Sequence, residues 1–148
     1  MSTPIISSEN KVRSDRGKSV GDYWLTEKIG KGSYADVYKG SHKNDGKKYA
    51  IKAIYKEQLS AEPRLLQGLE SEIRIMRDFD HPHIVRLVES FSSDKYFYLV
   101  MELCNGGDLS RFIKKSVNKR LDERLSYNFL SQLSKGLSFL QEKNFIHR

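Results

Sequence analysis

Three short stretches of apolar residues broken by polar ones, YWLTEKI at 23–29, DVYKGSH at 36–42 and KKYAIKAI at 47–54, predict β-strands. The second and third meet across Asn44, Asp45 and Gly46, a hairpin signal, so the first part of the chain reads as an antiparallel meander. The spacing then changes. Leu66, Leu69, Ile73 and Met76 recur at steps of three, four and three, which predicts a helix from about Pro63 to Arg77, with Pro63 suited to its first turn. HPHIVRLVESF at 81–91 and KYFYLVMEL at 95–103 predict two further strands joined by SSD. After Asn105, NGGDL is a turn into a short helix capped by Asp108. A longer helix follows from about Asp122 to Lys143, with Leu125, Phe129, Leu133, Leu137 and Leu140 on one face. Residues 1–21 are polar and aperiodic and are expected to form a flexible leader. The expected fold class is α+β: a five-stranded antiparallel sheet with one helix over 22–104, then two helices over 105–148 whose apolar stripe needs something else to pack on.

Composition narrows the class of protein. The 148 residues are 38% hydrophobic and 30% charged, as in a globular protein with its own core. No apolar run approaches the roughly 20 residues that cross a bilayer, and the first residues lack the apolar stretch of a signal peptide, so a cytoplasmic protein without a transmembrane segment is expected. The single cysteine, Cys104, can form no internal disulfide and has no second thiol for a metal site, which fits a reducing compartment. A net charge of +7 raises nucleic acid or an acidic membrane as a partner. The basic residues are spread along the chain, however, with one small cluster at Lys114, Lys115, Lys119 and Arg120 and no nucleic-acid-binding signature. A solvated face is expected, and no nucleic-acid partner.

GKGSYADV, residues 30–37, has the spacing of a G-x-G-x-x-G loop with Ala35 in the third place. Such loops let the backbone approach phosphates closely, because glycine has no Cβ to collide. By itself the loop reads equally as a hairpin whose glycines relieve turn strain. In a dinucleotide-binding fold a helix would follow, whereas here a strand follows, so the loop is a flap between antiparallel strands. Lys52, at the end of YAIK on the third strand, can reach phosphates beneath that flap. A partly buried ammonium needs an acidic partner. Glu72 sits at the edge of the helix stripe formed by Leu65, Leu69, Ile73 and Met76, and an ion pair with Lys52 is expected, although position alone suits an ordinary solvated glutamate.

Together these residues resemble the amino-terminal lobe of a eukaryotic protein kinase from Tyr23 to the last residue: GKGSYADV, YAIK, ESEIRIM, HPHIV, LVMELCNGGDL and FIHR occur in that order. LLQGLESEIRIM, HPHIVRL and CNGGDL are most similar to the serine/threonine kinases that initiate autophagy. The resemblance implies that Gly30, Lys31 and Gly32 with the backbone of Ser33, Tyr34 and Ala35 cover the phosphates of ATP, and that Ile29, Val37 and Ala50 enclose the adenine. It implies that Lys52 binds the α- and β-phosphates and pairs with Glu72. Met101 would limit the depth of the adenine pocket, and Glu102 to Cys104 would form the hinge that hydrogen-bonds adenine through the backbone. Asp108 either caps its helix or also touches the ribose. Two departures are small: Ala35 stands for the third loop glycine, and Leu103 stands where the hinge often has an aromatic. Cys104 is expected to be a packed side chain.

In the kinase pattern H-R-D-x-x-x-x-N an aspartate accepts the substrate proton, and an asparagine and a second aspartate hold magnesium. His147 and Arg148 match its first two places and end the chain, so ATP and Mg²⁺ are implied while the catalytic aspartate and magnesium ligands are expected to lie beyond this sequence. The 148 residues alone are therefore expected to be inactive as part of an ATP-dependent serine/threonine kinase, whose partners would be ATP, protein substrates and regulatory proteins. The alternatives are a non-catalytic nucleotide-binding or kinase-partner module and, ranked last, a basic nucleic-acid binder.

Overall fold

The computed structural model describes residues 17–61 and 63–146. Six strands form one sheet: β1 (Ser19–Val20), β2 (Tyr23–Lys31), β3 (Ala35–His42), β4 (Lys48–Tyr55), β5 (Leu87–Ser92) and β6 (Tyr96–Glu102). Their order is β1-β2-β3-β4-β6-β5, and every neighbouring pair is antiparallel. Between β4 and β5 run helices α1 (Lys56–Ala61) and α2 (Pro63–Arg77); after β6 come α3 (Leu109–Lys115), a 3-10 turn at Val117–Lys119 and α4 (Glu123–Glu142).

Successive side chains of a strand face opposite sides of a sheet, and here both sides are apolar. Ile51, Ala53, Tyr98 and Val100 pack on one side with Val20, Tyr23 and Leu25. Ala35, Ile54, Leu87 and Leu99 face the other, where Leu59 of α1 and Leu69 of α2 cover them and Leu66, Ile73 and Met76 pack around the edge. Ile51, Leu99 and Val100 are the most completely enclosed, each at 1% exposure or less. The side covered by α2 is the one that carries Lys52, because Lys52 alternates with Ile51 and Ala53.

Close packing leaves no room at Gly40. A Cβ there would lie 2.3 Å from Cδ1 of the fully buried Ile51. Gly40→Ala is therefore expected to destabilise the protein by about 1–3 kcal/mol, read as a lower urea midpoint at unchanged slope.

The structure differs from the sequence expectation at three places. A strand lies inside the expected leader: Ser19 and Val20 pair with Trp24 and Tyr23 across Gly21, whose φ of +50° suits a tight hairpin turn, and Val20 is buried. One apolar residue beside a glycine turn is too short a signal to separate from a polar tail. Residues 1–16 of that leader lie outside the described residues. The sheet accordingly has six strands where five are expected. HPHIVR is not strand: His81–Ile84 form a turn closed by the Ile84 amide on the His81 carbonyl at 3.1 Å, and Pro82 has no amide to give a ladder, so β5 begins only at Leu87. Finally, α1 is too short to show a period, and Leu59 is its one buried residue.

The long helix forms where periodicity places it, with Asp122 as N-cap accepting from the Leu125 amide at 2.8 Å. Among the α4 residues that meet the sheet lobe are Gly136, whose added Cβ would lie 3.3 Å from the His83 carbonyl, and Phe139, whose ring contacts Phe79 and His81. Of the expected stripe, Leu133 and Leu137 remain exposed, while Leu125, Phe129 and Leu140 are half-buried.

Candidate functional site

The flap is built by β2 and β3. Gly30 pairs with Val37 and Lys31 with Asp36, and the Gly32 amide donates to the Ala35 carbonyl at 2.8 Å to close the tip. A register shift between Lys28 and Gly30 inserts Ile29 as an extra residue, a bulge that bends the outgoing strand. Ala35 is buried in the core beneath α2, whereas Lys31, Gly32, Ser33 and Tyr34 stay exposed, as a cover over a ligand requires.

The sheet register puts Lys52 directly beneath the flap stem. Val37, Lys52 and Leu99 form one cross-strand row, and Ala50 and Met101 stand opposite each other in another. Ala50 and Lys52 are two residues apart on one strand and so share a face at a spacing of about 7 Å. Val37, Ala50 and Met101 thus supply half-buried apolar surface on the side where the ammonium emerges. A cavity of about 580 Å³ is lined by Tyr34, Ala35, Lys52, Leu69, Glu72 and Ile75, among others, and joins the flap, the lysine and α2.

Lys52 and Glu72 share that cavity without forming an ion pair. Among the described residues the ion pairs are Lys28–Asp36 and His42–Asp45. Glu72 lies on the rim of the buried α2 stripe and is exposed, so water solvates its carboxylate and nothing compels it towards the sheet. The expected pair is therefore open in this structure, with both partners facing one cavity.

At the far end of β6, Glu102 pairs with Tyr49 and its amide donates to the Arg86 carbonyl at 3.1 Å, which fixes the start of the expected hinge. Cys104 is exposed, not packed as expected, because it lies past the end of β6 in the irregular segment before α3. Asp108 is the N-cap of α3: its Oδ1 accepts from the Arg111 amide at 2.7 Å, and that bond holds its carboxyl below the usual carboxylate range. Gly107, at φ +74°, turns the chain into the cap. His147 and Arg148 lie outside the described residues.

Sequence reasoning overlooked one charged residue beside the flap. Asp36 is 6% exposed, and its Oδ2 is 2.7 Å from Lys28 Nζ, 2.7 Å from the donating Tyr55 hydroxyl and 3.4 Å from the Tyr38 hydroxyl. Its other carboxylate oxygen is buried without a partner. The Lys28 ammonium first, and then the Tyr55 hydroxyl, hold the Asp36 carboxyl below its ordinary value, and the carboxylate in turn raises the Tyr55 phenol to about 12. An available signal was the placement of an acid between Ala35 and Val37 on a strand whose next outward residue is Tyr38.

A lowered folded-state pKa means that the stabilisation from Asp36 is complete above its unfolded value, about 4, and disappears as pH falls through the lower folded value. Asp36→Asn is thus expected to flatten the fall of Tm between about pH 5 and pH 2. Thermal melts across that range check this; parallel curves for the two proteins would show that Asp36 does not contribute.

Among the described residues no three His, Cys, Asp or Glu side chains are grouped to hold a metal ion, and no helix is long and apolar enough to cross a membrane. Residues 23–148 match the family described as Protein kinase domain. The chain is similar to the serine/threonine-protein kinase ATG1 of Colletotrichum lindemuthianum, 37% identical over 164 residues that cover 98% of this chain and 24% of the relative. It is also similar to the serine/threonine-protein kinase ATG1a of Arabidopsis thaliana, 40% identical over 134 residues, 90% of this chain and 21% of that one. Serine/threonine-protein kinase ATG1 of Komagataella pastoris is 36% identical over 152 residues, 88% and 19% of the two chains. The chain therefore spans 19–24% of the length of these relatives.

Proposed function

The chain belongs to the protein kinase domain family, and on that premise we propose that the protein transfers the γ-phosphoryl group of ATP to serine or threonine hydroxyls of other proteins. The observation that carries this reading is the position of Lys52, which stands in register beneath the glycine flap and shares one cavity with it. Flap amides and a single ammonium suit the triphosphate: the amides donate to phosphate oxygens at close approach, and the ammonium offsets their charge. The apolar surface of Val37, Ala50 and Met101, with Ile29 at the rim, suits the flat adenine, and the backbone from Glu102 to Cys104 supplies its hydrogen bonds. Glu72 would hold Lys52 in place once α2 brings it closer, so the open pair describes a state awaiting that movement.

Protein kinases use ATP with Mg²⁺. The described residues fit the nucleotide but offer no cluster that fits the metal, so no step is assigned to it here. Similarity to the ATG1 kinases supports placing the protein among the kinases that initiate autophagy; protein substrates, regulatory partners and a cytoplasmic location are part of the same proposal.

Incubating the complete protein with labelled ATP and a mixed protein substrate, followed by phosphoamino-acid analysis, tests the reading. Phosphoserine and phosphothreonine are expected. Phosphotyrosine alone would overturn the class, and no transfer would overturn the activity. A second reading, a module that binds nucleotide without transferring phosphate, is favoured by the open Lys52–Glu72 pair; it predicts ATP binding with no labelled product.

A further inference from the structure

The flap has two legs, β2 going out and β3 returning, and one ion pair, between the exposed Lys28 and the buried Asp36, ties them on the face away from the lysine of the cavity. Lys28 lies two residues before Gly30, and Asp36 lies one residue after Ala35. In the register Lys28 stands opposite Tyr38, so Lys28 and Asp36 are a diagonal cross-strand pair, a span that a long lysine side chain covers. The tie sits beside the bulge at Ile29, where the ladder between the legs is interrupted.

A third strand joins in through Tyr55 at the end of β4. Its hydroxyl donates to Asp36 Oδ2 at 2.7 Å, while its backbone amide donates to the Tyr34 carbonyl at 3.1 Å. One residue thus grips both the flap tip, through the backbone, and the flap stem, through Asp36. Burying a carboxylate with one oxygen unpartnered costs stability that an apolar residue in this sheet position would not. The carboxylate's contacts all lead to the flap legs or to Tyr55.

We propose that Asp36 is a positioning residue for the nucleotide: clamped by Lys28 and Tyr55, it sets the height and stiffness of Gly30–Ala35 over the phosphates. This rests on the reading of the flap as a nucleotide cover, and it adds a determinant on the opposite face of the sheet from the cavity.

The test compares the complete wild-type protein with Asp36→Asn, which keeps the shape and removes the charge, and with the milder Tyr55→Phe. Amide hydrogen exchange is read without nucleotide, and KM for ATP and kcat with it. Exchange at residues 30–35 is expected to accelerate about tenfold, with exchange in α2 and β6 unchanged. KM for ATP is expected to rise about three- to tenfold while kcat stays within about twofold, the signature of lost positioning of a bound ligand. Unchanged flap exchange in both variants would overturn the proposal, as would faster exchange with an unchanged KM. Should the wild type itself neither bind ATP nor transfer phosphate, the nucleotide reading and this role for Asp36 would both fall, whereas an active wild type with indifferent variants would refute the role of Asp36 alone.

Discussion

Lys52→Met is expected to leave the protein folded and to lower kcat/KM for ATP by about a hundredfold or more, the scale seen when one preorganised donor to developing charge is removed. The fold should survive because Lys52 makes no ion pair among the described residues and methionine reproduces the aliphatic stem that runs between Val37 and Leu99. Nothing else can take over its task. Lys31 is exposed on the flap, and Lys28 is already bound to Asp36 on the other face of the sheet. The measurement is steady-state kinetics of the complete protein, with circular dichroism to confirm folding. Activity within a few-fold of wild type would remove Lys52 from the site.

Ile51→Ala is expected to cost about 2–5 kcal/mol of stability, because a fully enclosed side chain is lost and the sheet around it cannot collapse to fill the gap. Ile51 fills the space over Gly40 and packs in the cluster with Tyr98 and Val100. A domain is stable by only about 5–15 kcal/mol, so this one substitution should remove a large share of the total. Urea unfolding of the variant reads the loss. A cost below about 1 kcal/mol would mean that this cluster is looser than its burial implies. The neighbouring positions face opposite ways on one strand, since Ile51 packs in the core on one face and Lys52 lines the cavity on the other.

Much of this was legible because periodicity and turn chemistry act locally. The stripe of Leu66, Leu69, Ile73 and Met76 marks α2, and Asn44 to Gly46 marks the β3–β4 hairpin. The glycine flap, Lys52 and the cap at Asp108 could likewise be located from residue types at fixed offsets. What escaped depends on tertiary placement. Val20 is buried only because β1 folds back on β2, and Ile84 and Val85 carry β-branched side chains yet sit in a turn region set by His81 and Pro82. The distance between Lys52 and Glu72 depends on where α2 docks, which no spacing along the chain encodes. Asp36 escaped for the same reason: its partners Lys28 and Tyr55 come from two other strands.

The direct test of the account is calorimetric titration of the complete protein with ATP, wild type beside Lys52→Met. The flap and Lys52 are predicted to bind ATP with a dissociation constant between about 1 μM and 1 mM, weakened about tenfold or more by the substitution. Equal affinities, or a wild type that binds no ATP at millimolar concentration, would contradict the claim that Lys52 beneath the flap forms a phosphate cradle.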